Sequence, residues 1–166
     1  MFFITYSHVY RILLFGLSLA LVSCGTVFAD AERPNEDLRP EDVVEIQLAA
    51  LRTNGPDNEG IERTFRFASP ANRAATGPLD RFASLFRTPA YRPMLDHVSA
   101  EVFSPVVDAG VALVPVTVSL PDGSEFDYMF VLSRQSEDPY ENMWMTDAVQ
   151  FQGTVVPVEP DPERTI

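Results

Sequence analysis

Ala112-Leu113-Val114-Pro115-Val116-Thr117-Val118-Ser119-Leu120-Pro121-Asp122-Gly123-Ser124-Glu125-Phe126-Asp127-Tyr128-Met129-Phe130-Val131-Leu132 is a ribbon of period two, doubled back at its middle. Ala112, Val114, Val116, Val118 and Leu120 make one apolar face, opposite Thr117 and Ser119. Beyond Asp122-Gly123, Phe126, Tyr128, Phe130 and Leu132 alternate with Glu125, Asp127, Met129 and Val131. An Asp-Gly pair between two alternating runs is a hairpin signal, because glycine tolerates the positive φ that a tight reversal needs. Pro115 has no N–H to donate to a ladder, so it predicts an edge, a bulge or a bend within its strand.

The same period flanks the hairpin. Val98, Ala100 and Val102 alternate with Ser99, Glu101 and Phe103, and a last strand is expected over Met143–Gln152 after a loop at Glu137-Asp138-Pro139-Tyr140. Upstream of His97 the period is helical. Pro40 suits a first helical position, followed by Glu41 and Asp42 where negative charge complements the helix dipole. Val44, Gln47, Leu48 and Leu51 fall on one face, with Val43 and Ala50 beside it, and Asn54-Gly55-Pro56 ends the helix. Ile61, Phe65 and Ala68 mark a second helix. Ser69-Pro70 caps a short third one closed at Thr76-Gly77, and Pro78 opens a fourth with Leu79, Phe82 and Phe86. Tyr91 and Met94-Leu95 are expected in a Pro-bracketed turn.

Helices followed by about four hairpin-joined strands predict an α+β fold, with the helices packed on one face of a bent antiparallel sheet. Such a bent sheet closed by helices forms a cone, whose mouth can take a small ligand.

The composition is that of a globular chain: 46% hydrophobic and 22% charged residues, with a net charge of −12. Every basic residue is arginine. An acidic surface repels phosphates, so nucleic-acid binding and a basic membrane patch are both disfavoured. Ile12–Val22 is an uncharged apolar run behind Arg11, too short to span a bilayer but of signal-peptide length. It runs into Leu21-Val22-Ser23-Cys24, which resembles the bacterial lipobox. That resemblance implies cleavage before Cys24, lipidation of its thiol and a membrane anchor. Ordinary cleavage after Ala29, behind Val27-Phe28-Ala29, is the alternative and would make the protein periplasmic, secreted or lumenal. Loss of residues 1–23 removes only Arg11 of the charges, so 24 acidic against 11 basic residues leave −13. The expected organisation is a signal peptide over 1–23, a tether over 24–39, one α+β domain over 40–152 and an acidic, Pro-rich tail over 153–166. With a single cysteine no internal disulfide forms, and packing must hold the domain.

Several groups of residues carry a family resemblance: Leu38, Pro40, Glu41, Val43 and Val44; Gln47, Leu48, Ala50 and Leu51; and Gly60-Ile61 with Phe65-Arg66-Phe67-Ala68-Ser69-Pro70. Asn72-Arg73, Thr76-Gly77-Pro78, Arg81-Phe82 and Tyr91-Arg92 with Met94-Leu95 and His97 extend it. The pattern is similar to the domain-of-unknown-function 4864 family, and the order of elements resembles the nuclear transport factor 2-like (cystatin-like α+β roll) superfamily. That superfamily includes isomerases, dehydratases and non-catalytic pocket or dimerisation modules, so the resemblance implies a fold and leaves the activity open.

His8 falls in the signal, which leaves His97 as the only histidine of the mature chain, so neither a histidine-cluster metal site nor a Cys–His nucleophile pair can be assembled. No Gly-x-Ser-x-Gly, phosphate-cradling glycine loop or calcium loop occurs, and no cofactor or metal is expected. His97 with Asp147 is the candidate acid/base pair; the structural alternative has His97 capping the first strand through a backbone hydrogen bond. Asp127 is expected on the face away from Tyr128. Gln47, on an otherwise apolar helix face, either bonds a buried backbone group or contacts a ligand. Asn72, Arg73, Arg81 and Tyr91 are further ligand candidates; the two arginines could instead pair with Glu62 or Asp80. Three functions fit: a non-catalytic domain holding a small apolar ligand or a protein partner, a small isomerase or dehydratase, and a homodimerising module joined through Met129, Val131 and Val149 on the exposed sheet face.

Overall fold

The computed structural model describes residues 33–155. The signal segment, Cys24, the start of the tether and the tail beyond Val155 lie outside the described residues. Five helices precede the sheet: α1 (Pro40–Arg52), α2 (Glu59–Arg66), α3 (Pro70–Thr76), α4 (Leu79–Leu85) and the single turn α5 (Pro93–Asp96). Five strands follow: β1 (Ser99–Val102), β2 (Val106–Asp108), β3 (Val111–Ser119), β4 (Glu125–Arg134) and β5 (Trp144–Val155). The expected α+β architecture is present. No helix among the described residues is long and apolar enough to cross a membrane.

The helix starts follow their local chemistry. At α1, Pro40 occupies the first turn, and the Arg39 N–H donates to Asp42 Oδ2 at 2.8 Å. The Arg39 side chain also bonds that carboxylate and holds its pKa below the usual range. At α3, Ser69 Oγ accepts from the Asn72 N–H at 3.1 Å, ahead of Pro70. The β3–β4 hairpin turns through Pro121-Asp122-Gly123, where Gly123 has φ 84° and Asp122 Oδ1 accepts from the Ser124 N–H.

All strand pairs are antiparallel, in the order β1-β3-β4-β5, with β2 also against β3. On the core face Ala112 lies opposite Leu132, Val114 opposite Phe130 and Val116 opposite Tyr128. These side chains, with Val118, are buried together with Val43, Val44, Leu48 and Leu51 of α1. Burial of each such side chain is worth about 2 kcal/mol, which suits a domain without a disulfide.

Two departures from the expected sheet have physical causes. β2 is an additional strand of three exposed residues, too short to show a period. β1 and β2 share one flank of β3, and the gap between them falls beside Pro115. The Pro115 carbonyl accepts from the Phe103 N–H at 3.0 Å, so its hydrogen-free nitrogen faces the same interruption.

β5 runs to Val155, beyond the expected Gln152, and carries two bulges. Asp127 pairs with Gly153 but Tyr128 with Phe151, leaving Gln152 over. Val131 pairs with Ala148 but Leu132 with Thr146, leaving Asp147 over. Each extra residue bends the strand and reverses the parity beyond it. Val149, expected outside with Met129 and Val131, therefore lies opposite Phe130 and packs against the core. The outer face instead gathers Val106, Val111, Leu113, Met129 and Val131.

α1 and α2 meet at Gly60. A Cβ there would collide with the Ala50 carbonyl oxygen and stand 2.9 Å from Asn54 Cα, both backbone. Glycine-to-alanine in a helix ordinarily gains about 1 kcal/mol, whereas forced overpacking costs about 1–3 kcal/mol. Gly60→Ala is thus expected to destabilise by roughly 2 kcal/mol in urea titration. A gain in stability would contradict the close crossing.

Candidate functional site

A cavity of about 280 Å³, open on one side, lies between α1, the α3–α5 segment and the inner faces of β4 and β5. Leu51, Phe82, Phe86, Met94, Phe130 and Val149 supply aliphatic and aromatic groups to its wall. Phe82 links two ring contacts, to Phe65 at 4.9 Å between centroids and edge-on to Phe86 at 5.5 Å. These rings hold the helical side of the wall in shape.

The polar atoms gather around Gln47, Thr64, Asn72 and Thr146, all buried and all lining the cavity. Gln47 Nε2 donates to the Thr64 carbonyl at 3.1 Å, and its Oε1 accepts from Thr146 Oγ1 at 2.7 Å. Thr64 Oγ1 shares its hydrogen between the carbonyls of Gly60 (2.9 Å) and Gln47 (3.2 Å). Asn72 Nδ2 donates to the Thr146 carbonyl at 3.0 Å, which fixes its amide orientation and leaves Oδ1 as the opposite atom. The backbone joins in: Thr146 N–H donates to the Phe67 carbonyl and Ser69 N–H to the Thr146 carbonyl, each at 2.9 Å, as a short parallel bridge. Gln47 therefore fulfils a buried structural role and faces the cavity at once.

Asp147, the residue left over at the second bulge, also lines the cavity and is its only charged lining residue. Its half-buried side chain makes no hydrogen bond or ion pair with the described residues. Tyr91 lines the cavity too and donates its hydroxyl to the Val149 carbonyl at 2.9 Å. Tyr128, behind it, donates to the Ala90 carbonyl at 2.8 Å, and burial pushes its pKa well up, so the phenol stays protonated.

The two members of the candidate acid/base pair line different depressions. His97 lies on a different face of α1, in a second depression with Glu45, Leu48 and Arg52, whereas Asp147 belongs to the main cavity. His97 Nδ1 sits 2.7 Å from the Met94 carbonyl, which only accepts, so this nitrogen carries the proton. The ring closes the turn of α5 at the start of β1. Chain order placed His97 beside the sheet but could not say which side of α1 it would occupy.

Arg73 and Arg81 are also outside the cavity lining. The Arg73 guanidinium is stacked between Phe65 (5.7 Å) and Tyr140 (5.3 Å). It donates to Tyr140 Oη at 3.1 Å and to the Arg66 carbonyl at 2.6 Å, while its Nε is buried without a partner. It joins α2, α3 and the β4–β5 loop and pairs with neither Glu62 nor Asp80; Glu62 is held by Arg66 at 2.8 Å. Arg81 is exposed, its stem against Gly77. Asp127 lies away from the core, accepting from Thr117 Oγ1 at 2.6 Å. No group of three or more potential metal ligands occurs among the described residues.

A family model described as Domain of unknown function (DUF4864) matches residues 33–155, most of the chain. The chain belongs to the DUF4864 family. No curated protein and no solved structure matches it. Within this DUF4864 domain, the polar cluster includes two residues not singled out from sequence, Thr64 and Thr146. Thr64 follows from the α2 period, one turn beyond Gly60. Thr146 was hidden, because the bulge at Asp147 erases the alternation that would have assigned it to the inner face.

Burial lowers the His97 pKa from its ordinary 6.5, with the nearby Arg52 charge adding to the effect and the Met94 hydrogen bond partly offsetting it. As pH falls below about 6.5 the unfolded chain takes up this proton before the folded one, so stability declines there and levels off once both forms are protonated. Asp42 and Asp122, whose carboxyls are lowered from 3.8 by Arg39 and by Ser124, lose their contribution only at lower pH. His97→Asn keeps a donor for Met94 without titrating. It is expected to flatten the fall in urea midpoint between about pH 7 and 5. An unchanged slope would remove His97 from the account.

Proposed function

We propose that this chain is an exported, lipid-anchored binding protein whose nuclear transport factor 2-like cone holds a small, largely apolar molecule. The observation that carries the reading is the cavity: aromatic and aliphatic walls, polar atoms collected at one end, and side chains held there by their own hydrogen bonds. Small-molecule sites have this character, an apolar enclosure with a few convergent polar groups. At about 280 Å³ the volume suits a compact ligand. A binding role needs no acid/base pair, and His97 and Asp147 line different depressions.

Anchoring rests on the sequence before the domain. Ile12–Val22 runs into the lipobox-like Leu21-Val22-Ser23-Cys24, and the mature charge of −13, from 24 acidic and 11 basic residues, offers no basic patch for a membrane surface. Acyl chains on Cys24 would supply the attachment instead, at about 0.8 kcal/mol per buried methylene, with the Asp30–Arg39 segment as the tether.

Ala75 lines the cavity and is itself exposed, so a bulky residue there can block the mouth without entering the core. Native mass spectrometry of the protein from its own cell is expected to show a retained small molecule that Ala75→Trp loses. Identical empty masses for both would remove the ligand reading. Detergent, not salt, is expected to extract the protein from membranes, and Cys24→Ser to release it or leave its signal uncleaved. A native chain beginning at Asp30 would show simple secretion.

A further inference from the structure

We propose that the cavity selects a small organic ammonium ion, with its hydrocarbon body against the aromatic wall and its N–H groups received by Asp147 and Asn72. The inference rests on reading the cavity as a ligand site and adds the chemical class of the ligand.

The hydrogen-bond inventory of the lining leads to it. The hydroxyl hydrogens of Thr64, Thr76, Thr146 and Tyr91 are all committed, to carbonyl oxygens or to Gln47 Oε1. Asn72 is only 9% exposed, and its Nδ2 is committed to the Thr146 carbonyl. Asn72 Oδ1 accepts nothing from the described residues and is not sealed from solvent, so it opens onto the space that Asn72 lines. Solvent can reach this acceptor, and a ligand that displaces the solvent keeps it satisfied only by bringing an N–H of its own.

Charge supplies the second half. Asp147, half-buried, is the single charged residue of the lining among the described residues, with no arginine or histidine to pair with it there. The remaining side-chain donors, one N–H each on Gln47 and Asn72, are outnumbered by the two carboxylate oxygens and Asn72 Oδ1. A carboxylate ligand would bring a second anion beside Asp147, and a neutral ligand would displace water from its half-buried carboxylate without supplying a counter-charge. An ammonium group pairs the charge and supplies the donors in one step. The net charge of the whole chain, −12, draws cations toward it and repels anions.

The volume has room for about nine water-sized groups, which sets the size of a probe. Hexylamine is protonated at neutral pH, as an alkylammonium with a pKa near that of lysine, about 10.4. Hexanol and hexanoate match it in shape with a neutral or an anionic head.

Calorimetric titration of the purified full-length protein with each of the three probes tests the proposal. Hexylamine is expected to bind at least tenfold more tightly than hexanol and hexanoate. Asp147→Asn is expected to bring the amine down to the level of the alcohol, and Ala75→Trp to abolish binding of all. Equal binding of amine and alcohol overturns the ammonium preference and leaves the cavity reading standing. So does an amine preference that survives Asp147→Asn, because the cation would then be held elsewhere on the acidic surface. Binding of none of the probes overturns both readings together. The comparison of ligands on the unaltered protein decides even if Asp147→Asn fails to fold.

Discussion

Thr146 is the point through which the sheet and the helices are joined. Its N–H reaches the carbonyl of Phe67, its carbonyl accepts from Ser69 N–H and from Asn72 Nδ2, and its hydroxyl donates to Gln47 of α1. One residue on β5 thus bonds to α1, to the α2–α3 connection and to α3. None of these groups has water as an alternative partner, since Thr146 is 1% exposed. In such surroundings an unmade hydrogen bond costs about 1–3 kcal/mol, so the register of β5 against the helices is tightly specified.

That fixed point makes an open cavity tolerable. A void lined only by apolar side chains tends to close by repacking, because the surrounding groups gain dispersion contacts when it does. Here Gln47, Thr64, Asn72 and Thr146 bond to one another and to backbone, and cannot slide inward without giving up those bonds. The second bulge of β5 adds Asp147 to the lining, and the Tyr91 hydroxyl holds the α4–α5 side against the Val149 carbonyl.

The helices and the central hairpin were legible because their determinants are local. Pro40, Ser69-Pro70 and Asp122-Gly123 act within a few residues of themselves, and the inward faces of β3 and β4 keep strict alternation. The α1 face was legible down to its single polar member, Gln47. What escaped depends on pairing between distant segments. A bulge is a relation between two strands, so the placement of Thr146, Asp147 and Val149 could not be read from β5 alone. Arg73 was visible as a charge, but its stacking on Tyr140 crosses a long stretch of chain. His97 sits at a helix-to-strand junction, and which groove of α1 it faces depends on how the whole layer docks.

The proline of β3 has a consequence for the solubility of the molecule. A long, regular edge strand invites another chain to add to the sheet, which is how many domains begin to aggregate. Here the flank beside β3 is occupied by two short pieces, β1 and β2, separated at Phe103–Pro105, with the hydrogen-free nitrogen of Pro115 facing the break. An incoming strand along that flank finds no continuous row of donors and acceptors, although Val106 and Val107 are 66% and 52% exposed. The interruption leaves the margin that carries these exposed valines without an unbroken template for an added strand.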